Sequence, residues 1–406
     1  MTADRTGPAG PFAAGPVVAS PVVASPVVAS PVVASPGPAF RWTAEHDEFR
    51  GAVRKLTETR VPLACAPSPA SADPRERELW RAWTEEMGLP GLVIPEDRGG
   101  SGFSRLELAI AAEELGRAVA GGPLFASAVL ATEALLAASG EVAAEVLPTL
   151  AAGTAVATLA VTEGTRRWQP GDVATTVSDP GGSPRLTGTK EAVLSAAEAG
   201  LLVVAAREPA GISLFVVEPG AGVEVTPLEV LDTSRPMARV TLRDAAARRA
   251  GVAGQGWAAV RRALQAGTVF LAAEQVGGSR ALLGAAVEHA KTRVQFGQPV
   301  GRFQGVKHRL ADMAARTELA AAAAAWTAWQ SPGSAAAGLG TAVAGAYCSE
   351  AYLETALDAI QVHGGMAITW EHHAHRFLRR ARADAAVLLP PREHRRRLES
   401  MIGTGA

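Results

Sequence analysis

The sequence predicts a mostly helical α+β fold in which a helical domain, a small β domain and a second helical domain follow one another. Hydrophobic residues make up 48% of the 406 residues, and alanine, which favours helices, dominates them. Apolar residues recur at helical spacing up to about residue 155 and again from Trp257, whereas the stretch between them alternates in short runs. A chain of this length exceeds the size to which one hydrophobic core usually grows, so several domains are expected.

The first 39 residues differ from the rest of the chain. Four consecutive copies of Pro-Val-Val-Ala-Ser extend from Pro16 to Ser35, and a proline at every fifth position prevents a helix and interrupts a strand ladder. We therefore predict a disordered tail over residues 1–39. A signal peptide is the less favoured alternative, because Arg5 is the only basic residue before the repeats and prolines break their apolar run.

Charge and composition exclude several classes of function. A net charge of -1 argues against a general polyanion binder. No run reaches the roughly 18 unbroken apolar residues of a membrane span, so we expect no membrane span and a cytoplasmic location. Cys65 and Cys348 lie far apart and have neither metal-ligand spacing nor the pattern of a disulfide framework.

Residues 40–155 are predicted to form the N-terminal helical domain. Four segments place apolar residues at helical spacing: Trp42–Arg60, Glu76–Met87, Ser104–Val119 and Pro123–Ala138. The glycine-rich loop at residues 99–102 precedes Ser104 and Glu107, which fit a capping box. Since no strand-helix unit of the dinucleotide-binding type surrounds this loop, we interpret it as a turn before a capped helix.

Residues 156–250 are predicted to form the β domain, and residues 251–406 the C-terminal helical domain. The β domain contains six short apolar or β-branched runs separated by Gly, Pro and Asp turns. These runs are Ala155–Thr162, Arg185–Lys190, Leu201–Ala206, Ser213–Glu218, Val223–Pro227 and Ala238–Leu242.

Two stretches of the C-terminal domain have ligand-binding chemistry. In His289–Met313 the glycines and the proline at residues 297–301 force the chain to reverse, with Arg293 and Gln304 flanking the bend. A guanidinium and a carboxamide at one corner suit a phosphate-bearing planar ligand, although an ordinary helix hairpin is the favoured reading of this stretch alone. Gly364-Gly365, after a helix ending at His363, allows close approach to a ligand or forms a simple helix C-cap.

Several segments resemble the acyl-CoA dehydrogenase flavoproteins, and they occur in the order found in that family. They are WTEEMGLPGLVIPEDRGGSGFSRLELAIAAEELGR, LAVTE, LTGTK with LFVVEPGAGVEVTPL, RVQFGQPVGRFQGVKHRLADM and QVHGGMAITWEHHAHRFLRRA. The resemblance covers nearly everything after residue 40. It implies an N-terminal helical domain, a middle β domain and a C-terminal four-helix bundle.

The resemblance also implies the cofactor and partners. These are FAD, an acyl-CoA substrate, an electron-transfer flavoprotein as electron acceptor, and an oligomer of identical or related subunits in which two subunits complete one flavin site. The Val161-Thr162 segment is implied to contact the isoalloxazine ring. The residues implied to hold the adenine and pyrophosphate part are Arg293, Phe296, Gln304, Gln361, Gly364 and Gly365.

The catalytic base of the family is missing from both of its usual positions. In this family a glutamate removes the α-proton of the thioester while a hydride leaves the β-carbon for the flavin. The two positions fall near Leu388 and near Gly267, and neither residue can take a proton. The weak substitute candidates are Glu371, Glu274 and Glu393. The helical rise separates Glu274 from Gly267 by roughly 10 Å, which favours a role for Glu274 in an internal polar network.

Further departures surround the flavin site. Ala192 stands where an aromatic side chain is expected, Leu194 where a hydroxyl is common, and Gly164 where the family has proline. Two functions therefore stay open: FAD-dependent α,β-dehydrogenation of an acyl-CoA, or a subunit that completes the FAD site of a catalytic relative in a heteromer. A non-redox enzyme on the same scaffold is a third alternative.

No metal or nucleic acid is predicted. The cluster of Glu371, His372, His373 and His375, with His363 upstream, does not converge on one helix face, so a solvated helix start near Thr369 is favoured over a metal site. The eight arginines between Arg376 and Arg397 are interleaved with acids, which indicates amphipathic helices with a basic face.

Overall fold

The computed structural model describes residues 41–61, 74–164, 168–179 and 182–403. The predicted tail over residues 1–39 and Cys65 lie outside the described residues. The helices of the N-terminal region are α1 (Ala44–Arg60), α2 (Pro74–Glu85), α3 (Arg105–Arg117), α4 (Thr132–Ala138) and α5 (Gly140–Ala151).

The four predicted N-terminal helices are confirmed, with one irregularity. The capping box is present at α3, because the Ser104 hydroxyl accepts from Leu106 N at 3.0 Å and the Glu107 carboxylate accepts from Ser104 N at 2.9 Å. The predicted helix Pro123–Ala138 begins as a buried π-helix, Phe125–Ala131, that continues into α4. Helix α5 was not predicted, because Pro148 lies inside it and interrupts the helical pattern.

An eight-stranded sheet forms the middle of the chain, and its order is β6-β7-β3-β2-β4-β5-β8, with β1 parallel to β4. The strands are β1 (Ala157–Ala160), β2 (Thr176–Ser178), β3 (Arg185–Leu194), β4 (Leu201–Glu208), β5 (Gly211–Val217), β6 (Val223–Pro227), β7 (Met237–Ala246) and β8 (Arg248–Ala250). All six predicted runs are strands. Strands β2 and β8 were missed, because three residues are too few to show alternation.

Helices return after the sheet, with one short hairpin among them. The elements are α6 (Gly256–Thr292), β9 (Val294–Gln295), β10 (Gln298–Pro299), α7 (Gln304–Ala328), α8 (Ala335–His363), α9 (Ala374–Val387) and α10 (Pro391–Ile402). The predicted chain reversal is therefore the β9–β10 hairpin. Among the described residues, no helix is both long enough and apolar enough to cross a membrane.

Helix α6 is the axis of the molecule and packs against α3, α7 and α8. Its crossing with α3 is close because two glycines face the opposing backbone. A Cβ on Gly277 would lie 1.8 Å from the backbone oxygen of Glu113, and one on Gly116 would lie 2.0 Å from that of Glu274. This crossing attaches the N-terminal helices to the C-terminal ones.

Candidate functional site

A buried lysine holds the end of β1 in place. Lys190 Nζ donates to Glu163 Oε1 at 2.5 Å and to the backbone oxygens of Val161 at 3.3 Å and Ala205 at 2.5 Å. Burial lowers the pKa of Lys190 to about 8, against the opposing effect of the Glu163 carboxylate. The ion pair therefore fixes Val161 and Thr162, the segment predicted to contact the flavin ring.

A cavity of about 280 Å³ adjoins this segment. Its lining residues include Thr162, Ala192 and Met237 from the β domain and Val387 from α9. Small-molecule sites have volumes of about 300–1,000 Å³. The cavity lies close to the lower end of this range, so it suits one planar ring system.

Trp168 lines the same cavity and is buried. It provides an aromatic side chain in the cavity where Ala192 lacks the expected one. Sequence reasoning missed it, and the available signal was a tryptophan four residues after Gly164, one of the positions that depart from the family.

Gly267 and Leu388, the residues where a catalytic glutamate is expected, lie side by side. A Cβ on Gly267 would lie 2.8 Å from Leu388 Cδ1 and 2.7 Å from Leu130 Cδ2, with the Phe125 ring at 3.6 Å. Only 4% of Leu388 is exposed. The place where a base would stand is therefore filled by apolar side chains from two segments, the π-helix Phe125–Ala131 and the end of α9.

The neighbouring cavity is too small for an acyl chain. It is lined by Leu124, Phe125 and Phe270, among others, and its volume is about 20 Å³. By this measure one water molecule occupies about 10–15 Å³. Phe125 and Phe270 stack with ring centroids 5.1 Å apart, which closes the space further.

Five buried charges lie beside this closed region. Arg235 donates to Glu274 Oε1 and Oε2 at 2.8 and 2.6 Å and to Asp384 Oδ1 at 2.5 Å, and its guanidinium lies over the Phe125 ring. Arg380 donates to Asp232 Oδ2 and Glu274 Oε1, each at 2.5 Å. We call these five residues, Asp232, Arg235, Glu274, Arg380 and Asp384, the buried charge network.

The buried charge network clarifies two predictions. Glu274 belongs to an internal polar network, as its distance from Gly267 indicated. Arg380 does not lie on a basic face of α9, because it is 1% exposed and paired with acids. Asp232, Arg235 and Asp384 were missed, because they come from separate elements and no local motif unites them.

The residues predicted to hold the adenine and pyrophosphate part of FAD are exposed. They are Arg293, Phe296, Gln304, Gln361, Gly364 and Gly365. The end of α6, which leads into the β9–β10 hairpin, adjoins the end of α8, because the rings of His289 and His363 lie 4.6 Å apart. Phe296 is 90% exposed and has a φ of 52°, a left-handed conformation that is unfavourable for a large side chain.

The other two weak base candidates lie on the surface of the chain. Glu371 is exposed, and the helix predicted to start near Thr369 begins instead at Ala374. That prediction was wrong because His372 Nδ1 accepts from Ala374 N at 3.1 Å, which satisfies a donor of the first helical turn. Glu393 lies in the first turn of α10 and accepts from Arg396 at 2.8 Å.

Four histidine rings lie next to one another in succession at this end of the helices, and only the last pair is stacked. His289, His363, His372 and His373 have successive centroid distances of 4.6, 4.7 and 4.6 Å. Burial lowers the pKa of His372 to about 4, so its ring is neutral near pH 7. Within the described part of the chain, no group of three or more His, Cys, Asp or Glu residues could hold a metal ion.

Two family profiles match the chain. The acyl-CoA dehydrogenase N-terminal domain matches residues 43–154, and the acyl-CoA dehydrogenase C-terminal domain matches residues 254–387. The acyl-CoA dehydrogenase IpdE2 of Mycobacterium tuberculosis is 35% identical over 366 residues, which cover 88% of this chain and 97% of the relative. The acyl-CoA dehydrogenase FadE34 of the same organism is 34% identical over 82% of this chain but only 45% of FadE34.

Solved structures share the fold over nearly the whole chain. A variant of the Tcur3481-Tcur3483 steroid ACAD has a TM-score of 0.79 at 28% identity, covering 89% of this chain and 98% of that one. The ChsE4-ChsE5 complex from Mycobacterium tuberculosis has a TM-score of 0.79 at 26% identity, covering 91% of this chain and 100% of that one.

Proposed function

The chain belongs to the acyl-CoA dehydrogenase family of FAD-dependent oxidoreductases that act on CH-CH groups, and we propose that it works as the FAD-holding subunit of a heteromer. A related subunit supplies the catalytic base and the acyl pocket. The observation that carries this proposal is the pair Gly267 and Leu388, which meet in an apolar region beside a cavity of about 20 Å³.

The lack of space and of a free carboxylate near Gly267 and Leu388 supports the proposal that another subunit carries the catalytic base. Removing the α-proton needs a carboxylate at the α-carbon, and the only acid that lines the small cavity among the described residues is Glu274. Its carboxylate already accepts three charge-assisted hydrogen bonds from Arg235 and Arg380. Taking up a proton would weaken these bonds, so Glu274 is a poor base.

The residues that face the cofactor fit FAD. FAD, when bound, supplies the hydride acceptor of the reaction. Thr162 and Trp168, which line the 280 Å³ cavity, would hold the isoalloxazine ring there. Arg293 and Gln304, together with the end of α8, would hold the phosphate and adenine part. Because these side chains are exposed in the single chain, a second subunit covers them.

The relatives are consistent with such an assembly. Two of the similar structures are of paired chains, the ChsE4-ChsE5 complex and the Tcur3481-Tcur3483 steroid ACAD. The match covers less than half of FadE34, so the FadE34 chain is long enough for two segments of this length. The assembly acts in the cytoplasm on an acyl-CoA, and an electron-transfer flavoprotein reoxidises the flavin.

The experiment compares the chain alone with the chain and a partner. The partner is an acyl-CoA dehydrogenase-like chain of the same organism that has a glutamate at the position of Leu388 or of Gly267. We expect acyl-CoA to bleach the flavin absorbance of the co-purified complex and to leave the chain alone unchanged. Replacing the partner's glutamate with glutamine should abolish bleaching while flavin content stays constant. Bleaching by the chain alone, at the rate of the complex, would contradict the proposal.

The FAD contacts are tested separately in the same complex. Arg293→Ala should lower the flavin bound per complex, because a guanidinium pairs with phosphate. Arg302→Ala, an exposed arginine nine residues further along, is the matched control and should retain flavin. Equal flavin content in the two variants would remove Arg293 from the site.

A further inference from the structure

A third cavity lies between the N-terminal helices and the end of α7. Its volume is about 470 Å³, within the range of small-molecule sites. The walls come from the start of α3, from α4, from α6 and from the segment that follows α7. Apolar groups form most of its surface, and they include Phe103, Leu136 and Trp329. The rings of Trp329 and Trp42 pack edge to face at 5.7 Å, which fixes this wall.

Two arginines and one glutamate form the polar side of this cavity. Arg105 Nε donates to Glu133 Oε1 and Arg262 Nε donates to Glu133 Oε2, both at 2.8 Å. Although burial raises the pKa of Glu133, the two guanidiniums hold it below its usual value, so Glu133 is ionised. Among the described residues that line the cavity Glu133 is the one acid, and two cations against one anion leave one positive charge uncompensated.

Arg105 has an unused hydrogen-bond donor. The residue is 6% exposed, and its Nη2 atom has no hydrogen-bond partner among the described residues. A buried donor without a partner is destabilising, so an acceptor from outside the chain would be stabilising here. Arg262, whose side chain is 41% exposed, places the second guanidinium toward solvent, where a ligand enters.

We propose that this cavity is a binding site for a small organic carboxylate with a flat apolar body. The carboxylate pairs with Arg105 and Arg262 and neutralises the single uncompensated charge, and the apolar body packs between Phe103, Leu136 and Trp329. A monoanion fits better than a phosphate dianion, because only one positive charge is left over. Its lining shares no residue with the 280 Å³ cavity assigned to the flavin ring.

Benzoate and benzamide, which have the same shape and differ in charge, test the proposal on the purified full-length chain. Isothermal titration calorimetry should show one saturable benzoate site and at least about tenfold weaker binding of benzamide. Arg105→Met should weaken benzoate at least about tenfold, whereas Arg261→Ala, an exposed neighbour of Arg262, should leave it unchanged. The proposal would be overturned if the native protein bound benzoate and benzamide equally well, or if Arg105→Met bound benzoate as tightly as the native protein does.

A second variant tests the same site in case Arg105→Met does not fold. Leu136→Trp fills the cavity and leaves its three charged residues in place, so it should also abolish benzoate binding while thermal unfolding stays cooperative. Should both variants unfold, crystals of the native protein soaked with 4-bromobenzoate decide the question through the anomalous signal of bromine. Bromine in this cavity supports the site, and bromine elsewhere or nowhere refutes it.

Discussion

Asp384 is a buried acid with an unusual protonation. It shares Arg235 and Arg380 with Asp232 and Glu274, so three acids face two guanidiniums, and its Oδ2 atom has no partner among the described residues. Burial raises the pKa of Asp384 to about 7. The folded chain therefore binds this proton more tightly than the unfolded chain, where the pKa is near 3.8. Stability from this group is fully present below about pH 4 and is lost as the pH rises to about 7.

Asp384→Asn should remove this pH dependence, because asparagine keeps an oxygen for Arg235 and has no charge. We expect the free energy of unfolding of Asp384→Asn, relative to the native protein, to rise by about 2 kcal/mol between pH 5 and pH 8. Urea unfolding at four pH values across this range measures the difference. The exposed Asp97→Asn should show no such trend. A constant difference for Asp384→Asn would show that Asp384 does not titrate in this range.

At the scale of elements, two glycines of α6 test how closely α3 and α6 cross. Gly277 faces the backbone of α3, whereas Gly284 faces open space. A methyl group on Gly277 would lie 1.8 Å from the Glu113 backbone oxygen, whereas Gly284 has no atom within 4 Å of its Cβ position. Gly277→Ala should lower the free energy of unfolding by about 3 kcal/mol. Gly284→Ala should raise it by about 0.5–1 kcal/mol through helix propensity. Denaturant unfolding that gave both variants the same sign would disprove this account of the crossing.

In the β9–β10 hairpin, we expect one substitution to raise the stability of the chain and to weaken its flavin binding. Phe296 and Gly297 both have positive φ, and Phe296 is sterically strained while its ring is exposed. Phe296→Asn should therefore raise the free energy of unfolding of the single chain by about 1 kcal/mol, since asparagine tolerates this conformation. The same change should reduce flavin retention in the assembled complex. Val294→Thr, which also makes an exposed apolar position polar, should not stabilise the chain.

Across the whole molecule, the features that sequence predicted well are those that local patterns encode. The order helix, sheet, helix, the six longer strands and the Ser104 cap follow from spacing and turn chemistry within short windows. The meeting of Gly267 with Leu388 could not be read from spacing, because 121 positions separate them in the numbering of the chain. The partners of Arg380 were hidden for the same reason. Trp168 escaped notice because no repeating pattern surrounds it.

Arg380 connects all three parts of the chain, and this gives the prediction at the largest scale. Its guanidinium donates to Asp232 and Ser234 of the β domain, to Glu274 of α6 and to the backbone oxygen of Ala120 in the N-terminal region. Arg380→Met leaves buried carboxylates without their partner, so the free energy of unfolding should fall by about 3–5 kcal/mol. Unfolding should also separate into more than one calorimetric transition, because the shared contact that couples the parts is lost. Arg382→Met, an exposed change on the same helix, should keep the native profile. A single transition for Arg380→Met, within about 1 kcal/mol of the native protein, would show that the glycine crossing of α3 and α6 suffices to hold the parts together.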